Sequence, residues 1–157
     1  MTTPNLKLSR SQLPEHALKA LLGVEGYLRE CGLERGLIHL VKLLASNRNR
    51  CAYCVDMHTK DARAAGETEQ RLYAVPVWRE TPFFTPRERA ALAYAEAVTR
   101  IGDAGVPDDV YAEAREHFDD AALVALTMAI ITINGWNRLS VSFRTEVGGY
   151  QPAAAKG

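Results

Sequence analysis

Cys51, Cys54 and His58 stand in the pattern Cys-x-x-Cys-x-x-x-His, within Cys51-Ala52-Tyr53-Cys54-Val55-Asp56-Met57-His58. Three- and four-residue steps stay on one face of a helix. A helix here lines up Cys51, Cys54, Val55 and His58, and continues the same face through Ala62 and Ala65. Asp56, Lys60 and Arg63 fall elsewhere and face water. Two thiols and an imidazole then meet at the start of a buried face, a set suited to redox chemistry or to a metal. A free cysteine ionises only at about pH 8.5. The free N–H groups of a helix N-terminus favour its anion. His58, one turn below Cys54, is spaced to take the Cys54 proton directly or through water. A thiolate prepared in this way attacks a peroxide O–O bond and becomes a sulfenic acid. The neighbouring thiol closes a disulfide with release of water, and a partner reduces that disulfide by exchange.

The rest of the composition narrows the context. Lysine plus arginine equals aspartate plus glutamate at 19 each, so the formal net charge is zero. No broad electrostatic footprint for nucleic acid or an anionic membrane follows. Three cysteines are an odd number and do not read as the disulfide framework of a small secreted domain. The polar stretch Met1–Arg10 lacks the apolar core of a secretory signal. The apolar run Ala121–Ile133 is shorter than the roughly 20 residues a bilayer requires. These features read as a cytoplasmic protein with a buried core helix. At 157 residues the chain is expected to be a single domain, with a core over about 14–147, a loose N-terminal arm and a loose tail after Gly148.

The elements that must carry the cysteines are helical. Pro14 suits a first turn, Leu18, Leu21, Leu22 and Leu28 follow helical spacing with Glu25 breaking the stripe, and Gly32 is a stop. Cys31 reads as a small apolar residue near that helix end. A second helix spans Glu34 to about Arg48 on Leu37, Leu40, Val41 and Leu44, with His39 and Lys42 beside the stripe. Asn49 is a candidate cap for the cysteine helix, which ends near Gly66. Thr68 caps a fourth helix with Leu72, Tyr73, Val75, Val77 and Trp78, kinked or shortened at Pro76. Residues 79–86 read as a loop whose Phe83 and Phe84 could line a pocket mouth or an interface. Thr85-Pro86-Arg87-Glu88 starts the next helix. Gly102–Gly105 is a turn, Pro107-Asp108-Asp109 opens a short helix to about Phe118, and a long one runs from about Asp119 to Arg144. No run alternates with period two between turn signals. The expected fold is all-α, with six or seven helices.

The motif Ser46-x-x-Asn49-x-Cys51-x-Tyr53-Cys54-x-x-x-His58 resembles the core of the AhpD-like alkylhydroperoxidases, within the carboxymuconolactone decarboxylase superfamily. Thr59-Lys60-Asp61-Ala62-Arg63-Ala64-Ala65-Gly66-Glu67 and Ile133-Asn134-Gly135-Trp136-Asn137-Arg138 are similar to it as well. The resemblance implies an all-helical fold, homo-oligomers of three or six chains, and reduction of a small hydroperoxide without cofactor. It implies Cys54 as the peroxide-attacking thiol, Cys51 as the resolving thiol and His58 in a proton relay. A dithiol protein, lipoyl-bearing or thioredoxin-like, would return the electrons. The family usually carries a relay glutamate twelve residues before the first cysteine, where this chain has His39. Imidazole shuttles protons near neutrality but supplies no fixed negative charge, so weakened or altered turnover is expected. Tyr53 stands where some members have histidine.

Two further readings follow from the same residues. Cys51, Cys54, His58 and His39 together make a ligand set suited to tetrahedral zinc, hence a zinc-binding oligomer. A reactive pair with poor turnover would instead serve as a non-catalytic redox sensor. Lactone decarboxylation, which the superfamily name covers, leaves the cysteine pair unexplained.

Overall fold

The computed structural model describes residues 10–153. Seven α-helices account for most of them: α1 Glu15–Glu30, α2 Arg35–Arg48, α3 Ala52–Ala64, α4 Glu69–Ala74, α5 Pro86–Arg100, α6 Asp108–His117 and α7 Asp120–Ser142. Short 3-10 turns occupy Arg10–Gln12 and Val75–Glu80. Among the described residues there is no strand, only an isolated bridge between Gly102 and Gly105. The fold is therefore all-α, as the periodicity predicts.

α2 is the hub, packed against α3, α5 and α7. It buries residues on nearly every side, including Leu37, Leu40, Val41, Leu44 and Ala45. Val41 meets Ala91, Leu126, Ile130 and Phe118 in one cluster, while Leu40 and Leu44 join Leu72, Trp78 and Leu92 in another. Each such aliphatic side chain contributes about 1.5–3 kcal/mol by leaving water. A third, smaller cluster holds Cys51, Cys54, Ala45 and Ile133, with Tyr53 and Trp136 against it. α7 is 23 residues long and apolar enough to cross a membrane by length and composition, but here it packs on α1, α2, α3 and α5.

Local chemistry sets the helix starts. Thr85 and Glu88 form a reciprocal capping box on α5. Thr68 and Asp119 accept from Arg71 N–H and Ala122 N–H at the starts of α4 and α7. Pro76 ends α4, and the chain tightens into the 3-10 turn that carries Trp78 into the core. The predicted loop 79–86 therefore begins two residues later.

Several expectations give way. Tyr73 and Val77 are 72% and 55% exposed rather than packed, because α4 is too short to turn its whole stripe inward. Ala65 lies outside the buried face of α3, at its exposed C-cap. Phe84 is a core residue under Arg71 and Phe83 packs beside it, so neither lines a pocket mouth. The tail is fastened up to Tyr150. The Tyr150 hydroxyl donates to Asp61 at 2.7 Å, and Lys60 donates to the Tyr150 carbonyl at 3.0 Å. The N-terminal arm falls outside the described residues up to position 9, while Leu13 reaches the cavity described below.

Candidate functional site

The loop between α2 and α3 delivers the cysteines. Arg50 adopts a left-handed conformation (φ 53°), Cys51 N–H donates to Ser46 O at 2.9 Å and Arg50 N–H to Asn47 O at 3.1 Å. These two bonds close α2 in a Schellman arrangement and leave Cys51 in extended backbone as the N-cap of α3. Asn49 is therefore not the cap of the cysteine helix; it ends α2. Its side chain instead donates to Asn134 and Asn137, each at 2.9 Å. Cys51 takes the cap because its sulfur accepts the Cys54 N–H at 3.4 Å.

Both cysteines are 1% exposed and free. The Cys51 sulfur accepts the Cys54 backbone N–H at 3.4 Å, and the Cys54 thiol and the polar side chains of Asn137 and Ser140 lie close enough to favour its anion. That donor set, led by the Cys54 thiol, pulls the Cys51 thiol well below its ordinary range. The adjacent Cys51 sulfur, with burial added, pushes Cys54 the other way. The pair thus ionises as one unit sharing a proton. Asn137 is itself fixed in place, since it is 1% exposed, donates to Ser46 Oγ at 3.1 Å and accepts from Asn49.

Cys54 also forms part of the wall of a cavity of about 700 Å3; Cys51 does not. The sulfur that best carries negative charge and the sulfur that meets the cavity are therefore different atoms. His58, His39, Lys42, Glu25 and Trp136 share the wall, with Leu22, Ile38, Leu139 and Phe143 as apolar lining. The tail residues Thr145, Glu146 and Tyr150 close one side.

The imidazoles are placed differently from the thiols. His58 is 5% exposed, and neither ring nitrogen has a hydrogen-bond partner among the described residues. The direct Cys54–His58 hydrogen bond that the spacing allows is therefore not formed. Burial pushes the His58 pKa down to about 3, helped by the charges of Lys42 and His39. His39 is half-buried, its Nδ1 is unpartnered, and burial lowers it too. Both rings are neutral at pH 7. Among the described residues no three His, Cys, Asp or Glu side chains are grouped to hold a metal. The zinc set of Cys51, Cys54, His58 and His39 does not assemble, since Cys51 lies off the cavity in its own hydrogen-bond cage.

Three residues of the site escaped the motif. Glu25 breaks the α1 stripe because it faces the cavity, where Lys42 Nζ lies 2.8 and 2.6 Å from its two oxygens and Trp136 Nε1 donates at 3.1 Å. Its position inside an apolar stripe was the available signal. Lys42, 5% exposed, gave no such sign beside a helical stripe. Ser140, which lines the cavity with Cys54, gave none either. Cys31 remains a packing residue at the end of α1, its thiol donating to Leu28 O at 3.3 Å.

A first helix entering the cavity, a central helix beneath the thiols and a capped Cys-x-x-Cys helix can be compared with known proteins. The carboxymuconolactone decarboxylase family model matches residues 15–97. This chain belongs to that family. The match takes in α1 to α3, and so both cysteines and both histidines of the site. The uncharacterized protein YdfG of Bacillus subtilis is 40% identical over 136 residues, 87% of this chain and 92% of its own. A crystal structure from Agrobacterium tumefaciens, of unknown function and provisionally described as the antioxidant defence protein AhpD, is 43% identical with TM-score 0.87. The alignment covers 92% of this chain and 99% of that one. An uncharacterized peroxidase-related protein from Silicibacter sp. TM1040 has TM-score 0.77 at 20% identity, over 88% and 73% of the two chains, a likeness of fold alone. The AhpD-like character read from the motif is borne out.

Proposed function

We propose that this family member is a thiol-dependent hydroperoxide reductase, or more generally a disulfide oxidoreductase, acting through Cys54 and Cys51. The observation that carries this reading is the buried pair of free thiols at the start of α3, where the Cys51 sulfur accepts the Cys54 N–H and Cys54 opens on a cavity it shares with His58. The likeness to a structure described as an AhpD antioxidant protein supports it.

The pair loses one proton and holds the charge mainly on Cys51. Shift of the Cys54 proton along the S–H···S bond moves the charge to the sulfur that faces the cavity. Cys54 then attacks the terminal oxygen of a hydroperoxide. An S–O bond forms, the O–O bond breaks, sulfur is oxidised to the sulfenic acid and the peroxide is reduced to an alcohol. Cys51, now protonated, displaces hydroxide from the sulfenic sulfur. Its own proton completes water, and the disulfide waits for reduction by a dithiol protein. Neutral His58 accepts a hydrogen bond from the entering peroxide and orients it. His39 stands beside His58 without a carboxylate's charge, so turnover is slower than a glutamate there would allow. Assembly as trimers or hexamers belongs to the same proposal.

Stopped-flow oxidation of the reduced protein, with thiols counted before and after, tests it. Two thiols per chain are lost on addition of one equivalent of hydroperoxide, and Cys54→Ser abolishes the fast phase. Thiols that persist for minutes in excess peroxide would remove the peroxidase reading. Exchange with a protein dithiol would then be measured for the broader one.

A further inference from the structure

Lys42 is nearly sealed from water, at 5% exposure, yet it sits in the wall of the thiol cavity. It lies one turn after His39 on α2, so the two share a face. Glu25 reaches it from α1 with both oxygens, and Trp136 from α7 fixes Glu25. An ammonium has three donors, and two contacts to one carboxylate leave one N–H for the cavity. A buried ion pair is seldom more stabilising than well-packed apolar residues of the same size. Chemistry accounts for its place here better than stability does.

The titratable and charged groups facing this space are Glu25 and Arg29 on α1, His39 and Lys42 on α2, Tyr53, Cys54, His58 and Asp61 on α3, and Glu146 and Tyr150 of the tail. The Tyr53 phenol can donate a hydrogen bond but brings no positive charge to an oxyanion. The two neutral imidazoles have no charge to give. A guanidinium does not release its proton in proteins. The Tyr150 hydroxyl is committed to Asp61. An ammonium can both attract an oxyanion and protonate it.

We propose that Lys42 is a catalytic proton donor: its ammonium, held in place by Glu25, protonates the oxygen that departs when Cys54 cleaves a hydroperoxide. This rests on the peroxidase reading above. The Cys54 sulfur gains oxygen, the O–O electron pair leaves on the alkoxide, and that oxygen takes a proton from Lys42 Nζ to become the alcohol. The neutral amine regains the proton that the thiol pair released at ionisation, so charge and protons balance. Glu25 is a positioning residue for Lys42.

The test compares two oxidants on the reduced full chain. tert-Butyl hydroperoxide expels an alkoxide that needs a proton; peracetic acid expels acetate, which does not. Lys42→Met lowers the ratio of the two thiol-oxidation rates about a hundredfold, the lower end of general-acid effects. Lys42→Arg keeps the ion pair with Glu25 but cannot give a proton, so its ratio also falls; it answers the question if the methionine variant does not fold. Equal slowing with both oxidants, or an arginine variant with the native ratio, overturns proton donation by Lys42 and leaves the peroxidase reading standing. A wild-type protein inert to both oxidants overturns the peroxidase reading, and this proposal with it.

Discussion

The two ends of the reactive face of α3 are built on opposite principles. At the N-terminal end, each hydrogen-bonding group around the thiols has a protein partner. Cys51 takes the Cys54 N–H, Asn137 bridges Ser46 and Asn49, and Asn49 reaches on to Asn134. One turn later, His58 is as deeply buried, yet both ring nitrogens lack a partner among the described residues. Leaving a buried polar group unpaired costs about 1–3 kcal/mol. A satisfied network fixes geometry and stabilises an anion; an unsatisfied imidazole facing a cavity keeps its hydrogen-bonding capacity for whatever enters. On the proposed function, the contrast separates charge storage at the thiols from substrate orientation at the histidine.

The sharpest way to break this contrast is Asn137→Leu. It removes a polar side chain beside Cys51 and the bonds to Ser46 Oγ and from Asn49, each of which keeps one other partner, for a loss of about 1–3 kcal/mol in urea unfolding. The thiol pKa measured by absorbance at 240 nm rises at the same time. A stable variant with an unmoved thiol pKa would mean that the cage is ornamental.

A second prediction uses pH. The His58 pKa lies at about 3 in the fold against an ordinary 6.5. Between those values the unfolded chain binds more protons, so stability is complete above pH 6.5 and is lost as pH falls toward 3. One such group gives a slope of at most about 1.4 kcal/mol per pH unit. His58→Gln removes that slope, while the remaining groups titrate as before. Parallel stability curves for wild type and variant between pH 6 and 4 would show that the imidazole is not held neutral.

His39 is half-buried and has a single orphaned nitrogen, so His39→Ala costs about 1 kcal/mol or less. A loss comparable with that of Asn137→Leu would place His39 in the partnered network rather than beside the open histidine. The smallest effect is expected in the turn that delivers the thiols. α3 ends in the same kind of turn with Gly66 at φ 96°, whereas α2 uses exposed Arg50 at φ 53°. Arg50→Gly relieves left-handed strain, partly offset by glycine's freedom in the unfolded chain, for a net gain of about 0.5 kcal/mol. A melting temperature that falls instead would assign the Arg50 side chain a role in the loop.

Local signals carried much of the architecture. The capping box at Thr85, the caps at Thr68 and Asp119, the break at Pro76 and the stops near Gly32 and Gly66 depend on neighbours within a few residues. They were therefore readable from residue type and spacing. The Cys-x-x-Cys-x-x-x-His pattern belongs to the same class, because helical geometry alone puts Cys54 and His58 on one face. Asn49 shows the limit of such reading. A cap and a long-range bridge use the same side chain, and only the approach of α7 made the second available. The tail looked loose because its anchors are Lys60 and Asp61, some ninety positions away.

Residue types and their spacing thus specified an all-helical chain with a thiol pair at a helix start, since those properties are set within one or two turns. That Cys54 and not Cys51 meets the cavity depended on how α1, α2 and α7 close around the start of α3. The partnering of Lys42 by Glu25 depended on α1, packed on α7, coming within side-chain reach of α2. Hydrogen bonds and ion pairs act over a few ångströms in space whatever the separation along the chain, so these assignments come into being only when the helices pack.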